Sequence, residues 1–143
     1  MLLATATACN GNSIEKQFFR DDIRTRMERL ETYPLEQQWR IFLYGNQVVH
    51  PPNKTLALPI AKQGKPALDY ILEQLEQPQH ELDYRDALVV FDRMQEGGYY
   101  NVCGDEPAMD AIRRNESRIS HTGWREVYRH MLDDLCTEPE PAE

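Results

Sequence analysis

Four histidines, three cysteines and a surplus of carboxylates are the side chains here with chemistry to offer, and their spacing decides what kind. His50, His80, His121 and His130 form no i,i+4 pair and no H-E-x-x-H, so no helix would turn two imidazoles toward one metal ion. His121 and His130 stand nine positions apart, two and a half turns, on opposite sides of any helix that held both. Asp21-Asp22, Asp133-Asp134 and Glu73/Glu76 are paired carboxylates, yet they fall where a solvated helix surface would put them. Nothing nearby supplies the apolar surroundings that would raise the pKa of either carboxyl above its neighbour's. There is no C-x-x-C, no G-x-S-x-G, no phosphate-cradling glycine loop and no dinucleotide fingerprint. The reading is non-enzymatic, with no metal and no cofactor expected. The alternative is a small hydrolase whose scattered carboxylates or histidines leave no linear trace.

Recognition chemistry is better represented. Gly97-Gly98-Tyr99-Tyr100-Asn101 sets two tyrosines beside a flexible break, and tyrosine combines rigid contact area with a hydroxyl. Tyr99, Tyr100 and Asn101 are therefore candidate partner-binding residues. His50, before Pro51-Pro52, joins them if the helices stack in register. The same aromatics would equally serve to seal a gap between successive helices, and both readings stay open. Cys103 and Cys136 are a candidate disulfide, which would close a long loop and stabilise the fold by about 3–4 kcal/mol in the chain-entropy model. Two buried thiols acting as small hydrophobes are the other reading.

Charge narrows the partner. Sixteen Lys and Arg against 24 Asp and Glu leave a net charge of −8, which opposes binding to a nucleic-acid backbone and favours a basic protein surface. The basic residues that gather as Arg20, Arg24, Arg26 and Arg29 are interleaved with Asp21, Asp22 and Glu28, as on a solvated helix face laced with i,i+4 ion pairs. Apolar residues make up 41% of the 143-residue chain, enough for the core of a single domain. No uncharged apolar run approaches the roughly 20 residues of a spanning helix.

The elements that must position these groups are helical, with almost no strand alternation. A first helix is expected over 13–31, opened by Asn12 with Glu15 and burying Ile14, Phe18, Ile23, Met27 and Leu30. A second begins near Pro34, buries Leu35, Trp39, Phe42 and Leu43, and stops near Gly45. His50-Pro51-Pro52-Asn53 forms a rigid connector, and Asn53 caps a short third helix that Pro59 kinks or shifts. Pro66 opens a fourth helix and Asp83 caps a fifth, which runs to Gly97-Gly98. Pro107 opens a sixth, and Thr122 caps a seventh with Trp124, Val127, Tyr128, Met131, Leu132 and Leu135 along one face. Connections this short imply antiparallel neighbours.

One internal echo stands out. Pro66-Ala67-Leu68-Asp69-Tyr70-Ile71 returns as Pro107-Ala108-Met109-Asp110-Ala111-Ile112, 41 residues later. Trp39-Arg40 and Trp124-Arg125 echo more weakly. With its Gly64 stop and Pro66 start, the segment 60–68 resembles the turn of a HEAT repeat. That resemblance implies an all-α fold, about seven helices as antiparallel helix pairs in a short HEAT-like right-handed solenoid or an irregular bundle. A stack of this kind exposes a long inner surface suited to protein binding.

The N-terminus carries a second resemblance. Small and apolar residues from Leu2 to Ala8 run into Cys9, as at the end of a bacterial lipoprotein signal peptide. No basic residue precedes that run, and position 6 is Ala rather than the usual Leu. The resemblance implies lipidation at Cys9, a periplasmic address with outer-membrane anchoring, and contact with the membrane only through that lipid. Cys103 and Cys136 would then be left as an even pair in an oxidising compartment.

The expected organisation is a signal-peptide remnant or flexible tether over 1–12, one helical domain over 13–136 and a disordered acidic tail over 137–143. The expected function is a protein-binding module, most concretely an envelope immunity or inhibitor protein that occludes a toxin or hydrolase, as a monomer or weak dimer. A cytoplasmic adaptor or scaffold of the same fold is the alternative.

Overall fold

The computed structural model describes residues 13–49 and 54–138. Cys9 and His50 lie outside the described residues, as do Asn12 and the Pro51-Pro52-Asn53 connector. Among the described residues the chain is all-helical, without a strand. Eight α-helices follow one another: α1 (Ile14–Arg20), α2 (Arg26–Thr32), α3 (Leu35–Val48), α4 (Ala57–Ala61), α5 (Lys65–Gln74), α6 (Leu82–Gly97), α7 (Glu106–Asn115) and α8 (Thr122–Leu135).

The first expected helix is two. The Asp22 carboxylate accepts the Arg24 N–H at 2.9 Å and starts a 3-10 turn, Ile23–Thr25. An aspartate that hydrogen-bonds its own neighbouring backbone competes with helix propagation, and the chain breaks there. Ile23 consequently leaves the buried stripe and is 69% exposed. Beyond the break α2 folds back on the end of α1. Arg26 donates to the Phe19 carbonyl at 2.7 Å and Arg29 to the Phe18 carbonyl at 3.2 Å. Each guanidinium also lies over the ring of that same residue, at 5.2 and 5.1 Å. These carbonyls belong to the last turn of α1, where the helix leaves them without an intrahelical partner and the macrodipole favours a cation. Two arginines that read as solvated charges are thus a cap supplied by the next helix. The ion pairs of this segment, Arg24–Asp22 at 2.9 Å and Arg29–Asp21 at 3.3 Å, do not follow i,i+4 spacing.

Gly45 does not stop α3, which runs on to Val48. A Cβ at Gly45 would sit 2.7 Å from Cζ of Phe19, so the glycine lets α1 lie directly on α3. The buried Gln38 amide knits the next contacts. Gln38 donates to the carbonyls of Leu30 at 2.9 Å and Tyr33 at 3.0 Å, and its own oxygen accepts from Gln63 at 2.7 Å. Pro59 falls inside the short α4, which follows a 3-10 turn, Lys54–Leu56.

The two proline-led hexapeptides open α5 and α7, with Pro66 and Pro107 in the first turn. Ala67, Leu68 and Ile71 are buried, and so are their counterparts Ala108, Met109 and Ile112. The beginnings of these helices meet through Lys65 and Asp105 at 3.7 Å, their ends through Arg118 and Glu76 at 3.3 Å. The helices α6 and α8 are likewise joined at both ends. At one end the Glu81 carboxylate accepts from the Ser120 N–H at 2.6 Å; at the other, Cys103 and Cys136 form a disulfide with Cα atoms 5.7 Å apart.

Local caps differ from expectation in detail. His121 rather than Thr122 caps α8, accepting the Trp124 N–H at 3.2 Å. Asp83 lies inside α6 and reaches back to the N–H groups of Gln79 and His80, at 3.0 and 3.2 Å. Trp124 and Val127 are 37% and 39% exposed, because only Tyr128 and Leu135 of α8 point fully into the core. Trp39 is buried, so the two Trp-Arg pairs occupy unlike settings. No helix of the described residues is long and apolar enough to cross a membrane.

Candidate functional site

An open groove of about 480 Å³ lies between α3 and α5. One face of α3 provides a wall through Glu36, Arg40, Leu43, Tyr44, Gln47 and Val48, residues spaced three or four apart or adjacent, which a helix gathers on one side. Tyr70 and Gln74, four apart on α5, provide the facing wall. Trp39 and Leu75, both buried in the core, form its floor. The segment after α5, with Gln77, Pro78 and Gln79, closes one end, and Glu15 of α1 lies at its edge.

Charge in the groove is unevenly satisfied. Glu15 is buried and pairs with Arg40 at 2.7 Å. Asp83 is buried as well and makes three internal hydrogen bonds, from Gln47 at 2.9 Å and from the backbone of Gln79 and His80. Gln47 also donates to Asp86 at 3.2 Å, and Arg85 holds that carboxylate at 2.7 Å. Burial raises the Asp86 carboxyl above its ordinary range, and the Arg85 charge works against that rise. This carboxylate pair therefore organises the turn into α6 and offers no free oxygen to a substrate. Glu36, by contrast, has no ion-pair partner among the described residues.

The residues singled out in the sequence lie elsewhere. Tyr100 donates its hydroxyl to Asp105 at 2.7 Å, beneath the Lys65 ammonium at 5.8 Å from its ring. The Asn101 side-chain oxygen accepts from Gly104 N–H at 3.1 Å and from Gln95 at 3.2 Å. Both side chains hold the turn between α6 and α7. Tyr99 stays 40% exposed, and its carbonyl lies 2.9 Å from where a Cβ of Gly64 would be. The loop thus closes over the start of α5 and does not contribute to the groove. Among the described residues no three His, Cys, Asp or Glu side chains converge as a metal site requires.

No family model, curated protein or solved structure matches this chain. The groove must be read from its own chemistry. Sequence reasoning missed it because its walls come from helices some thirty positions apart. The available signal was the polar and aromatic stripe Glu36, Arg40, Tyr44 and Gln47, at helical spacing.

Proposed function

We propose that this chain is a non-enzymatic protein-binding module that receives a segment of a partner protein in the groove between α3 and α5. The observation that carries the reading is the groove's make-up: an apolar floor of Trp39 and Leu75 under walls bearing tyrosines and amide side chains. Amides both donate and accept, so they can pair with a partner's backbone while the floor takes an apolar or aromatic anchor. The neighbouring carboxylates are turned to internal bonds, which supports recognition over catalysis. We further read α5–α6 and α7–α8 as two helix pairs of a short HEAT-like stack, because α5 meets α7, and α6 meets α8, start to start and end to end.

The Cys103–Cys136 disulfide supports an oxidising compartment, and with it the envelope address and an immunity or inhibitor role. Lipidation at Cys9 belongs to the same proposal. Mass spectrometry of the native protein tests it: a diacylglyceryl mass on a chain beginning at Cys9 is expected, and an unmodified Cys9 overturns it. The groove is tested in the cells that make the protein, with a photo-cross-linking residue placed in turn at Gln74, Tyr99 and Glu126. A discrete partner captured from position 74 but not from 126 is expected. Capture from 99 alone moves the site to the loop, and capture from none defeats the reading.

A further inference from the structure

Three of the groove's lining side chains are acidic, Glu15, Glu36 and Asp83, against one basic, Arg40. Arg40 is already held by Glu15 at 2.7 Å and Asp83 is turned to internal hydrogen bonds, so Glu36 is the lining carboxylate left without an ion-pair partner among the described residues. Glu73, about one turn from Tyr70 on α5 and outside the groove's lining, also has no ion-pair partner among the described residues. Tyr70 stands where these charges meet. Burial raises its hydroxyl above the ordinary pKa, Glu36 and then Glu73 push it further up, and Arg40 pulls it down. Burial disfavours any charge at this place, but the two carboxylates that disfavour a phenolate favour a cation, and an aromatic face adds its own attraction for one.

We propose that the partner segment is basic, with a lysine or arginine side chain lying over the Tyr70 ring between Glu36 and Glu73. This rests on the groove being the binding surface. It adds the chemical class of the occupant, which agrees with the chain's net charge of −8 and with electrostatic steering of a basic partner. A carboxylate and a ring above an apolar floor supply orientation as well as charge, because the cation and its aliphatic stem can both be accommodated.

The test uses a fluorescein-labelled peptide of about ten residues alternating lysine with glycine, a glutamate–glycine peptide as control, and anisotropy at about 0.15 M salt. The lysine peptide is expected to bind and the glutamate peptide not. Glu36→Gln with Glu73→Gln should weaken binding by about tenfold, and Tyr70→Leu by a further few-fold. The charge-matched pair Glu126→Gln with Asp133→Asn, exposed on α8 and outside the groove's lining, should change it by less than about twofold, since exposed charges away from the contact are screened. All variants are checked for unaltered circular dichroism. Equal weakening by both pairs would mean diffuse attraction only and overturn the proposal, as would failure of the lysine peptide to bind. If position 74 still captures a partner while the lysine peptide fails, the binding reading stands and only the basic occupant is lost.

Discussion

The two proline-led helices use one hexapeptide pattern for two purposes. In both, the alanine, the Leu or Met and the isoleucine are buried, and the aspartate is exposed and ion-paired, Asp69 to Lys65 at 3.0 Å and Asp110 to Arg113 at 3.5 Å. The fifth position differs: Tyr70 lines the groove, whereas Ala111 is small and half-buried. Their beginnings differ too. Gly64 enters α5 at a φ of +65° with no side-chain cap, because the Tyr99 carbonyl occupies the space a side chain would need. Asp105 enters α7 and accepts the Ala108 N–H at 3.0 Å. The buried triplet is the shared requirement of packing, and the exposed or half-exposed positions are where the two copies take on separate tasks.

Substitution at the shared positions challenges this comparison most severely. Ile71→Ala and Ile112→Ala each remove a fully buried side chain, and each should cost about 2–5 kcal/mol in denaturant unfolding. Similar values support equivalent settings; a cost confined to one copy breaks the equivalence. Next in size is the disulfide, which ties the loop after α6 to the end of α8. Replacing both Cys103 and Cys136 by Ser should cost about 3–4 kcal/mol. Hydrogen exchange should then rise more at the end of α8 than in α5, and uniform loss of protection would contradict that local role.

The residues that open the two helices come after. Gly64→Ala imposes a left-handed conformation and a close contact with the Tyr99 carbonyl, for about 1–2 kcal/mol or more. Asp105→Ala loses a cap worth about 1 kcal/mol. Thermal melts of the two variants test that order. The Tyr100 hydroxyl, then the Ala108 N–H, hold the Asp105 carboxyl below the usual carboxylate range. Its contribution is therefore present above the ordinary carboxylate pKa and fades as pH falls through the lowered value. Asp105→Asn should flatten the acid limb of melting temperature against pH, and an unchanged limb would mean other carboxylates set it. The smallest stability effect is expected at the divergent position. Tyr70→Ala should stay within about 1 kcal/mol while weakening groove binding a few-fold, and a stability loss as large as that of Ile71→Ala would make Tyr70 a packing residue.

Much of the second half was legible because its signals are local. Gly64 before Pro66, Gly97-Gly98, and Pro107 each announce a helix boundary within a few residues. The first half was less so. The break at Asp21-Asp22 depends on Arg26 and Arg29 finding carbonyls seven and eleven positions back, which no periodicity encodes. Gly45 matches a helix stop by local rule, and only the Phe19 ring against it reveals a close approach of two helices. The exposed Trp124 departs from expectation for a related reason: an apolar residue on the right stripe is buried only if the core covers it, and here the ring meets the Arg85 guanidinium at 5.2 Å and stays 37% exposed. The groove was least legible, since neither α3 nor α5 contains it.

Backbone amide mapping by NMR reaches the central claim most directly. Titrating the isotope-labelled chain with the lysine–glycine peptide should shift amides along Glu36 to Val48 and Asp69 to Leu75, leaving Tyr99 to Asn101 and α8 unmoved. Shifts centred on the Tyr99 loop or on α8, with α3 and α5 silent, would contradict the account.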